Sequence, residues 1–489
     1  MSKELLKNFD KFVAKGLKDM NVPGVAIAII KDGEVIHAEG YGYADLENKV
    51  KMTADHILPI GSASKAFTAT SVVMLAGEGK IDLDKPVRDY MPEFQLSDPV
   101  ASVGATPRDL LCHRTGMPRH DLMWIGWDDI ERKDVVSKYL KNLPSNKPFR
   151  SVWQYQNHMF ATMGYLVEKI SGQTWEEFVG ERIFSPLKMK TANFRVKYPD
   201  KTGKHAKLYV ENKKGKCEEC APLTIDGMGP AGSINATVRE MANWVIFNLN
   251  KGKVGQKALI DEKAFPELHK PNIPYALYPF DIPEKKIMGY GLGWFVDCYR
   301  GEKLVDHGGN VSGASALVSF MPEKNIGCVV LTNANGTMLT SATAYDIYDR
   351  LLGVEDGKNW VDFFVETLKP AKEAAKAQEK AFYDSKIKGK KMLHAEEEYL
   401  GVYSHPGYGD ITIYKDKKTG DMRMKRHDND GLISHLHYDI FYFNIMQMDI
   451  PFSFKTGIKG DIESLSIQFE PMLPATEFIK AKEEKAKQA

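Results

Sequence analysis

The 489-residue sequence has few cysteines, no excess of charge of either sign and no long apolar run. Its five cysteines are odd in number and widely scattered, which argues against a disulfide framework. Lys and Arg number 66 against 65 Asp and Glu, so the net charge of +1 favours neither nucleic acid nor an anionic membrane as a partner. No segment approaches the ~20 apolar residues of a membrane span. We therefore expect no nucleic-acid partner and no membrane partner.

The sequence does contain enough apolar residues for sizeable cores, with 43% hydrophobic and 10% aromatic residues. Its length predicts two or three domains. The N-terminal stretch MSKELLKNFDKFVAKGL places apolar residues at a helical period and interrupts them with charges. That pattern predicts an amphipathic surface helix rather than a signal peptide, so the expected location is cytoplasmic.

The distribution of strand-like and helix-like segments predicts an α+β fold. Strand-like segments open the chain, a mainly helical pattern follows from about 64 to 250, and apolar β-rich segments then return. We therefore expect an antiparallel sheet, built from both ends of the domain and flanked by helices, with a mainly helical region inserted between those ends. The strand-like segments are Val25–Ile30, Glu34–Ala38, Gly291–Cys298, Ala314–Met321 and Ile326–Thr332.

The composition changes after about Val354, which marks a second unit. A segment rich in Lys, Glu and Ala, with Pro370 inside it, predicts an exposed helical connector interrupted at that proline. Short alternating strands then follow at regular spacing and predict a small antiparallel β-barrel or sandwich. The predicted domains are 1–355, a connector over 356–395 and a barrel over 396–489.

The stretch GSASKAFTAT places Ser62 and Lys65 three residues apart at the start of a helical pattern. Positions i and i+3 of a helix lie on one face with adjacent side chains. A hydroxyl beside an amine can be a nucleophile beside its base, provided that burial and nearby positive charge lower the pKa of the amine. The alternative is that Ser62 caps the helix and Lys65 is solvated.

Two further short motifs could contribute to the same chemistry. Tyr155 could relay protons, and Asn157, two residues later, could bind a substrate amide through both its donor and its acceptor. In the stretch DHGGN, Gly309 would permit close approach of a ligand, and the N–H of Asn310 could be an oxyanion donor. The alternatives are a core aromatic residue before a helix capped by Asn157, and a hairpin turn with an exposed His307.

Several further pairs of residues predict no catalytic or metal site. Asp306 and His307 are neighbours on a strand, so they point to opposite faces and are poorly placed for a Ser-His-Asp triad. Cys217 and Cys220 form a lone C-x-x-C without a second ligand pair, and His435 and His437 have no third ligand nearby. We therefore expect no metal and no cofactor.

The order Ser-x-x-Lys, Tyr-x-Asn, His-x-Gly resembles the serine β-lactamase and DD-peptidase superfamily, and more closely its class C-like, CubicO-type branch. Linking stretches such as VPGVAIAIIKDGEVI, TPRDLLCHRTGMP and GYGLGW are similar too, and the resemblance covers about residues 10–350. It implies a β-lactamase/transpeptidase-like domain. More loosely, the C-terminal unit resembles the lipocalin-like domain of some CubicO-type peptidases, which implies that one of its loops could reach over the cleft.

The resemblance implies a role for each residue of the three motifs. Ser62 would be the nucleophile, Lys65 its proton acceptor, and Tyr155 the group that passes a proton to the leaving group and activates water. Asn157 would orient the acyl-side amide of the substrate. His307 would hydrogen-bond the region of Tyr155 or a substrate carboxylate, Gly309 would keep the strand clear, and the N–H groups of Ser62 and Asn310 would form the oxyanion hole.

We therefore expect a serine hydrolase that cleaves an ester or amide of a small molecule or short peptide through an acyl-enzyme, as a peptidase or carboxylesterase. A His rather than a Lys at position 307 favours an esterase or broad amidase over a β-lactamase in the narrow sense. Acyl transfer is also compatible with these residues, and so is a non-catalytic binding or assembly module. A homo-oligomer is compatible with the sequence.

Overall fold

The computed structural model describes residues 5–194, 204–276, 280–445 and 448–482. The outermost ends of the predicted domains, 1–4 and 483–489, lie outside the described residues. Within the described residues, an α+β domain is followed by a long helix and a closed antiparallel barrel. This is the fold class that the sequence predicts.

The first domain contains a large antiparallel sheet and several two-stranded ribbons. Its strands, in chain order, are β1 (Gly24–Lys31), β2 (Glu34–Asp45), β3 (Val50–Lys51), β4 (Leu58–Pro59), β5 (Tyr209–Glu211), β6 (Cys217–Glu219), β7 (Asn235–Ala236), β8 (Lys253–Val254), β9 (Lys257–Ala258), β10 (Lys285–Tyr290), β11 (Phe295–Tyr299), β12 (Glu302–Val311), β13 (Ala314–Met321) and β14 (Ile326–Thr332).

The large sheet has the order β10-β11-β12-β13-β14-β1-β2-β3. Strand β1, with the sequence GVAIAIIK, is almost wholly buried, which suits the β-branched residues of a central strand. It pairs with β14 in the register Val25↔Thr332 to Lys31↔Ile326. The two ends of the domain therefore meet in one sheet, as predicted.

Helices cover both faces of this sheet. The α-helices of the described residues are, in chain order, α1 (Phe9–Asp19), α2 (Ser64–Gly77), α3 (Pro99–Gly104), α4 (Pro107–Leu111), α5 (Arg132–Asp134), α6 (Asn157–Ser171), α7 (Trp175–Val179), α8 (Gly229–Gly232), α9 (Val238–Leu249), α10 (Leu339–Leu352), α11 (Trp360–Asp384) and α12 (Glu396–Tyr399). Helix α2 is buried over its first 12 residues, Ser64–Leu75, because α6, α7 and α8 pack against it. It is thus the helix that positions the site.

Helix α11 connects the two units and differs from the prediction. It runs from Trp360 to Asp384 without interruption at Pro370. A helix tolerates an internal proline more readily when the lost hydrogen bond faces solvent, and residues 369–381 of α11 are exposed. Its first turn is buried through Trp360, Val361 and Phe364 beside α1 and α10, and its last turn contacts the barrel, where the Tyr383 hydroxyl donates to Asp449.

The C-terminal unit is a closed eight-stranded antiparallel barrel, as predicted. Its strands are β15 (Gly401–His405), β16 (Gly409–Lys415), β17 (Met422–Arg426), β18 (Asn429–His437), β19 (Ile440–Ile445), β20 (Met448–Thr456), β21 (Ile462–Ile467) and β22 (Thr476–Lys480). Its buried apolar side chains continue into the largest core of the first domain. None of the helices in the described part of the chain has the length and apolar character needed to cross a bilayer.

Candidate active site

Ser62 lies in a tight turn between a buried strand and a buried helix. The turn covers Gly61–Ala63 and leads directly into α2, and Gly61 adopts a left-handed conformation with φ +51°. The side chain of Ser62 caps no backbone group at the start of α2. The helix-capping alternative for Ser62 is therefore wrong, and its hydroxyl is free to interact with Lys65.

Lys65 is fully buried, and its amine makes three close contacts. Nζ lies 3.0 Å from the hydroxyl of Ser62, 2.7 Å from Oδ1 of Asn157 and 2.8 Å from the carbonyl oxygen of Ala231. The amide oxygen and the carbonyl can only accept hydrogen bonds, whereas a hydroxyl can also donate. A neutral amine therefore fits this site with its two N–H groups toward Asn157 and Ala231 and its lone pair toward Ser62.

Two physical effects lower the pKa of Lys65 well below its ordinary value. Burial is the larger, because removing an ammonium group from water disfavours the charged form. The positive charge of Arg119 acts in the same direction, and the carboxylate of Asp121 partly opposes it. The site therefore provides the conditions that an amine base requires.

Tyr155 lies beside both Lys65 and Arg119. Its ring centroid is 4.7 Å from Nζ of Lys65 and 5.0 Å from the guanidinium carbon of Arg119. Burial raises the pKa of its hydroxyl, while a hydrogen bond with Ser62 and the charge of Arg119 lower it in part. The phenol is thus protonated at rest and in contact with the hydroxyl of Ser62.

Asn157 connects the amine to the opposite wall. It is the first residue of α6, whose N-cap is Gln156, so the capping alternative for Asn157 is wrong. Its Oδ1 accepts from Lys65, and its Nδ2 donates to Oδ1 of Asp121 at 2.8 Å. These two bonds fix the orientation of the amide.

His307 is buried behind Tyr155 rather than exposed in a turn. Its Nδ1 lies 2.6 Å from the carbonyl oxygen of Gly308, so Nδ1 carries the proton, and Nε2 accepts from the hydroxyl of Tyr290 at 3.0 Å. Burial, with a smaller effect of the Lys65 charge, lowers the pKa of His307 to about 3. The imidazole is therefore neutral, and it offers no cation to a substrate carboxylate.

Strand β12 crosses the Ser62 turn at very short range. A methyl group placed on Gly309 would lie 1.9 Å from the carbonyl oxygen of Ile60 and 2.8 Å from the backbone nitrogen of Ser62. One placed on Gly61 would lie 2.9 Å from the backbone nitrogen of Asn310. The backbone nitrogens of Ser62 and Asn310 therefore lie at the same crossing point, as two oxyanion donors would.

A cavity of about 240 Å³ opens above this crossing point. Of the predicted residues, Ser62, Asn157 and Asn310 line it. Arg119 and Asp121 also line it and form an ion pair, with Nε of Arg119 2.6 Å from the carboxylate. These two residues, and the Ala231 carbonyl, were missed because no local sequence pattern distinguishes them.

The remaining cysteine, histidine and aspartate pairs lie elsewhere. Asp306 accepts from Lys285 at 3.1 Å, on the side of β12 away from His307. Cys217 and Cys220 are free thiols at the β5–β6 ribbon, and His435 and His437 are on β18. Over the described ranges, no group of three or more ligand-type side chains is arranged to hold a metal ion.

A family model described as Beta-lactamase matches residues 9–352, and a domain of unknown function (DUF3471) matches residues 385–482. The chain therefore belongs to the β-lactamase family and is a serine hydrolase of that superfamily.

Similar proteins include hydrolases and a penicillin-binding protein homologue. The unguisins hydrolase ungD' of Aspergillus campestris is 26% identical over 96% of this chain and 90% of its own length. The octameric penicillin-binding protein homologue from Pyrococcus abyssi shares the fold with a TM-score of 0.63 at 22% identity, covering 96% of this chain and 99% of that one. D-amino acid amidase from Ochrobactrum anthropi SV3 has a TM-score of 0.57 at 21% identity, covering 71% and 98%.

Proposed function

We propose that the protein hydrolyses an amide or ester of a small molecule or short peptide through an acyl-enzyme on Ser62. The observation that carries this proposal is the position of Lys65 Nζ, 3.0 Å from the Ser62 hydroxyl, with its other two contacts made to acceptors only. That arrangement supports a neutral amine aimed at the hydroxyl. It favours a catalytic site over a binding or assembly module.

In the first half-reaction, Ser62 Oγ bonds to the substrate carbonyl carbon while its proton moves to Lys65 Nζ. The N–H groups of Ser62 and Asn310 stabilise the oxyanion. Tyr155 then delivers a proton to the leaving nitrogen or oxygen, and the bond to the leaving group breaks. The proton on Lys65 then passes to the phenolate of Tyr155, so both groups return to their neutral states in the acyl-enzyme.

In the second half-reaction, water attacks the ester carbon of the acyl-enzyme, and its proton reaches the neutral Lys65 amine, either directly or through Tyr155, which accepts that proton as it passes its own to Lys65. The Ser62–carbon bond then breaks as the proton moves from Lys65 to Ser62 Oγ, which releases a carboxylic acid and restores the hydroxyl. Replacement of that water by an alcohol or amine would give acyl transfer with the same residues.

The protonation state of His307 bears on the substrate preference. The neutral His307 provides no cation at the position where relatives with Lys have one. This favours a broad amidase or esterase over a β-lactamase in the narrow sense. Among the similar proteins, an unguisins hydrolase supports hydrolysis as the reaction, and a D-amino acid amidase supports an amide as the bond.

The experiment is a substrate panel with matched variants. We expect the wild type to turn over at least one of p-nitrophenyl acetate, p-nitrophenyl butyrate, and D- or L-amino-acid p-nitroanilides, with little or no turnover of nitrocefin. Ser62→Ala should abolish this turnover. Ser71→Ala, which removes a hydroxyl that donates to the Phe67 carbonyl within α2, should keep it. Activity that survives Ser62→Ala would contradict the proposal. Homo-oligomerisation and a cytoplasmic location stay predictions, to be measured by light scattering and fractionation.

A further inference from the structure

One wall of the cavity is a segment with little secondary structure of its own. Four of the lining residues, Arg119, Asp121, Trp124 and Ile125, lie within seven positions of one another. The only helical turn there is Asp121–Met123. We call residues 119–127 the wall segment. Among the described residues, no barrel residue lines the cavity, so the expected barrel loop over the cleft is not seen; the barrel contacts the outer side of the wall segment instead.

Arg426, at the end of β17, is the first of these contacts. Its side chain is buried, and its Nη2 donates to the carbonyl oxygens of Met123 at 2.8 Å and Tyr408 at 3.1 Å. Nη1 lies 3.5 Å from the carbonyl oxygen of Ile125. None of these partners is a carboxylate, so the buried guanidinium is stabilised by main-chain oxygens, two of them in the wall segment. Burying a charged guanidinium without a carboxylate partner costs stability. That cost favours a role for Arg426 in positioning the wall segment.

His120 provides the second contact, and it lies between Arg119 and Asp121. Its backbone is left-handed at φ +49°, an unfavourable conformation for a residue with a Cβ atom. Its N–H donates to Oε2 of Glu470 at 2.8 Å. Its Nε2 lies 2.9 Å from the Pro144 carbonyl and must carry the proton, so Nδ1 accepts from the Tyr408 hydroxyl at 2.5 Å. Two barrel residues thus hold the strained residue that separates Arg119 from Asp121.

The third contact is at the far end of the wall segment. Gly126 has φ +73°, and a methyl group there would lie 1.7 Å from Nδ2 of Asn429. That Nδ2 donates to the carbonyl oxygen of Ile125 at 3.1 Å. Trp127 stacks on His427 with ring centroids 3.7 Å apart and an interplanar angle of 11°. The β17–β18 turn therefore packs so closely against the wall segment that position 126 requires a glycine.

We propose that the C-terminal barrel is a fixed support for the substrate pocket, in which Arg426, Tyr408 and Glu470 are positioning residues that hold the wall segment in its binding conformation. The inference rests on the proposed function of the Ser62 cavity. The barrel thereby influences substrate specificity indirectly: it holds the wall segment, and the wall segment contacts the substrate.

The test compares Arg426→Met with Arg423→Met in the full-length protein. Both residues are on β17, but Arg423 is paired with Asp430 within the barrel. Two readouts separate binding from chemistry: kcat and KM for a p-nitroanilide or ester that the wild type hydrolyses, and the rate at which a small fluorophosphonate labels Ser62. The small probe needs the nucleophile and the oxyanion donors but little of the wall segment.

For Arg426→Met we expect KM to rise about tenfold or more, because a displacement of order 1 Å at a positioning element has effects of this size. Labelling is measured at a pH well above the acid limb, where a shift in the Lys65 pKa through Arg119 has no effect; there it should change by less than about threefold, since the nucleophile, its base and the oxyanion donors lie on other elements. Arg423→Met should match the wild type in both. Arg426→Lys, which keeps one donor at the site, should recover part of the lost affinity.

A merely structural role predicts a different pattern. If Arg426→Met lowers the melting temperature but keeps KM within twofold of Arg423→Met, the inference is wrong. If Arg426→Met does not fold, Tyr408→Phe and Asn429→Ala carry the same test, and unchanged KM in both overturns it. Failure of the wild type to label at Ser62 would instead refute the proposed function.

Discussion

At the scale of single residues, the central feature is the protonation state of Lys65. A buried ammonium with three acceptors would be a structural ion, whereas a neutral amine with two acceptors and one hydroxyl is a base. The distances admit both, and burial together with Arg119 favours the second. The chemistry of the site therefore requires that Lys65 Nζ be neutral.

Lys65→Met should lower kcat/KM by about 10²–10⁴, the usual contribution of a general base. The matched control is Lys169→Met, which removes a lysine that pairs with Glu93 on the surface of α6. Steady-state kinetics on the preferred substrate, with circular dichroism to check folding, make the measurement. Retention of more than about a tenth of the activity in Lys65→Met would exclude Lys65 as the base.

The pH dependence should follow Lys65. Because the amine acts in its neutral form, kcat/KM should fall as the pH decreases through its lowered pKa. Arg119 lowers that pKa and Asp121 raises it, so Arg119→Gln should raise the pKa and move the acid limb to higher pH.

The control for this shift is His307→Gln. With a pKa of about 3, His307 is neutral from pH 5 to 9, and its loss removes no charge from the site. The acid limb should therefore keep its position in His307→Gln, whatever the effect on the rate. An acid limb that moves with His307, or that does not move with Arg119, would assign the titration to another group.

At the scale of elements, the site is a crossing of the Ser62 turn and strand β12. Gly309→Ala would place a methyl group 1.9 Å from the Ile60 carbonyl, so the strand or the turn must shift. Gly308→Ala, one residue earlier, would meet the Ala316 carbonyl oxygen at 3.4 Å and Cδ1 of Leu317 at 4.0 Å, which are ordinary contact distances. The two glycines thus form a matched pair.

We expect Gly309→Ala to lower kcat/KM by about 10²–10³, the cost of a displaced oxyanion donor, and to destabilise the fold by about 1–3 kcal/mol. Gly308→Ala should stay close to the wild type in both. Kinetics and thermal unfolding of the two variants give the comparison. Equal losses of kcat/KM and stability in both variants would show that the close contact between Gly309 and the Ser62 turn does not cause the effect.

Elements with a strong local pattern could be predicted from the sequence. The apolar run of β1, the alternation of the barrel strands and the start of α2 all follow from the residues within them. The connector was predicted less well, since an exposed proline did not end α11. For α6, the structure excludes the alternative in which Asn157 caps the helix, because Gln156 accepts from the helix backbone.

The wall segment could not be predicted, for a physical reason. Residues 119–127 form no continuous helix or strand, and their conformation is fixed by partners 280 or more positions away, such as Tyr408 and Glu470. Ser62, Lys65, Tyr155 and Asn157 could be found because their spacing is local. Arg119 and Asp121 join them only through tertiary contacts.

At the scale of the whole molecule, the two units share one apolar core and an interface with buried polar groups. We therefore expect them to unfold together. Six of the seven tryptophans lie in the first domain and Trp360 opens α11, so their fluorescence reports mainly the first domain, with Trp127 also sensitive to its barrel contact, whereas far-ultraviolet circular dichroism reports both units. The two signals should give coincident urea transitions. A barrel transition at a separate urea concentration would contradict this expectation.

The most direct test of an acyl-enzyme on Ser62 is the intact mass of the protein after reaction with a fluorophosphonate, for the wild type, Ser62→Ala and Ser71→Ala. We predict one covalent adduct on the wild type and on Ser71→Ala, located on Ser62 by peptide mapping, and none on Ser62→Ala. An adduct that persists in Ser62→Ala, or a wild type that forms none while it hydrolyses a substrate, would contradict this prediction.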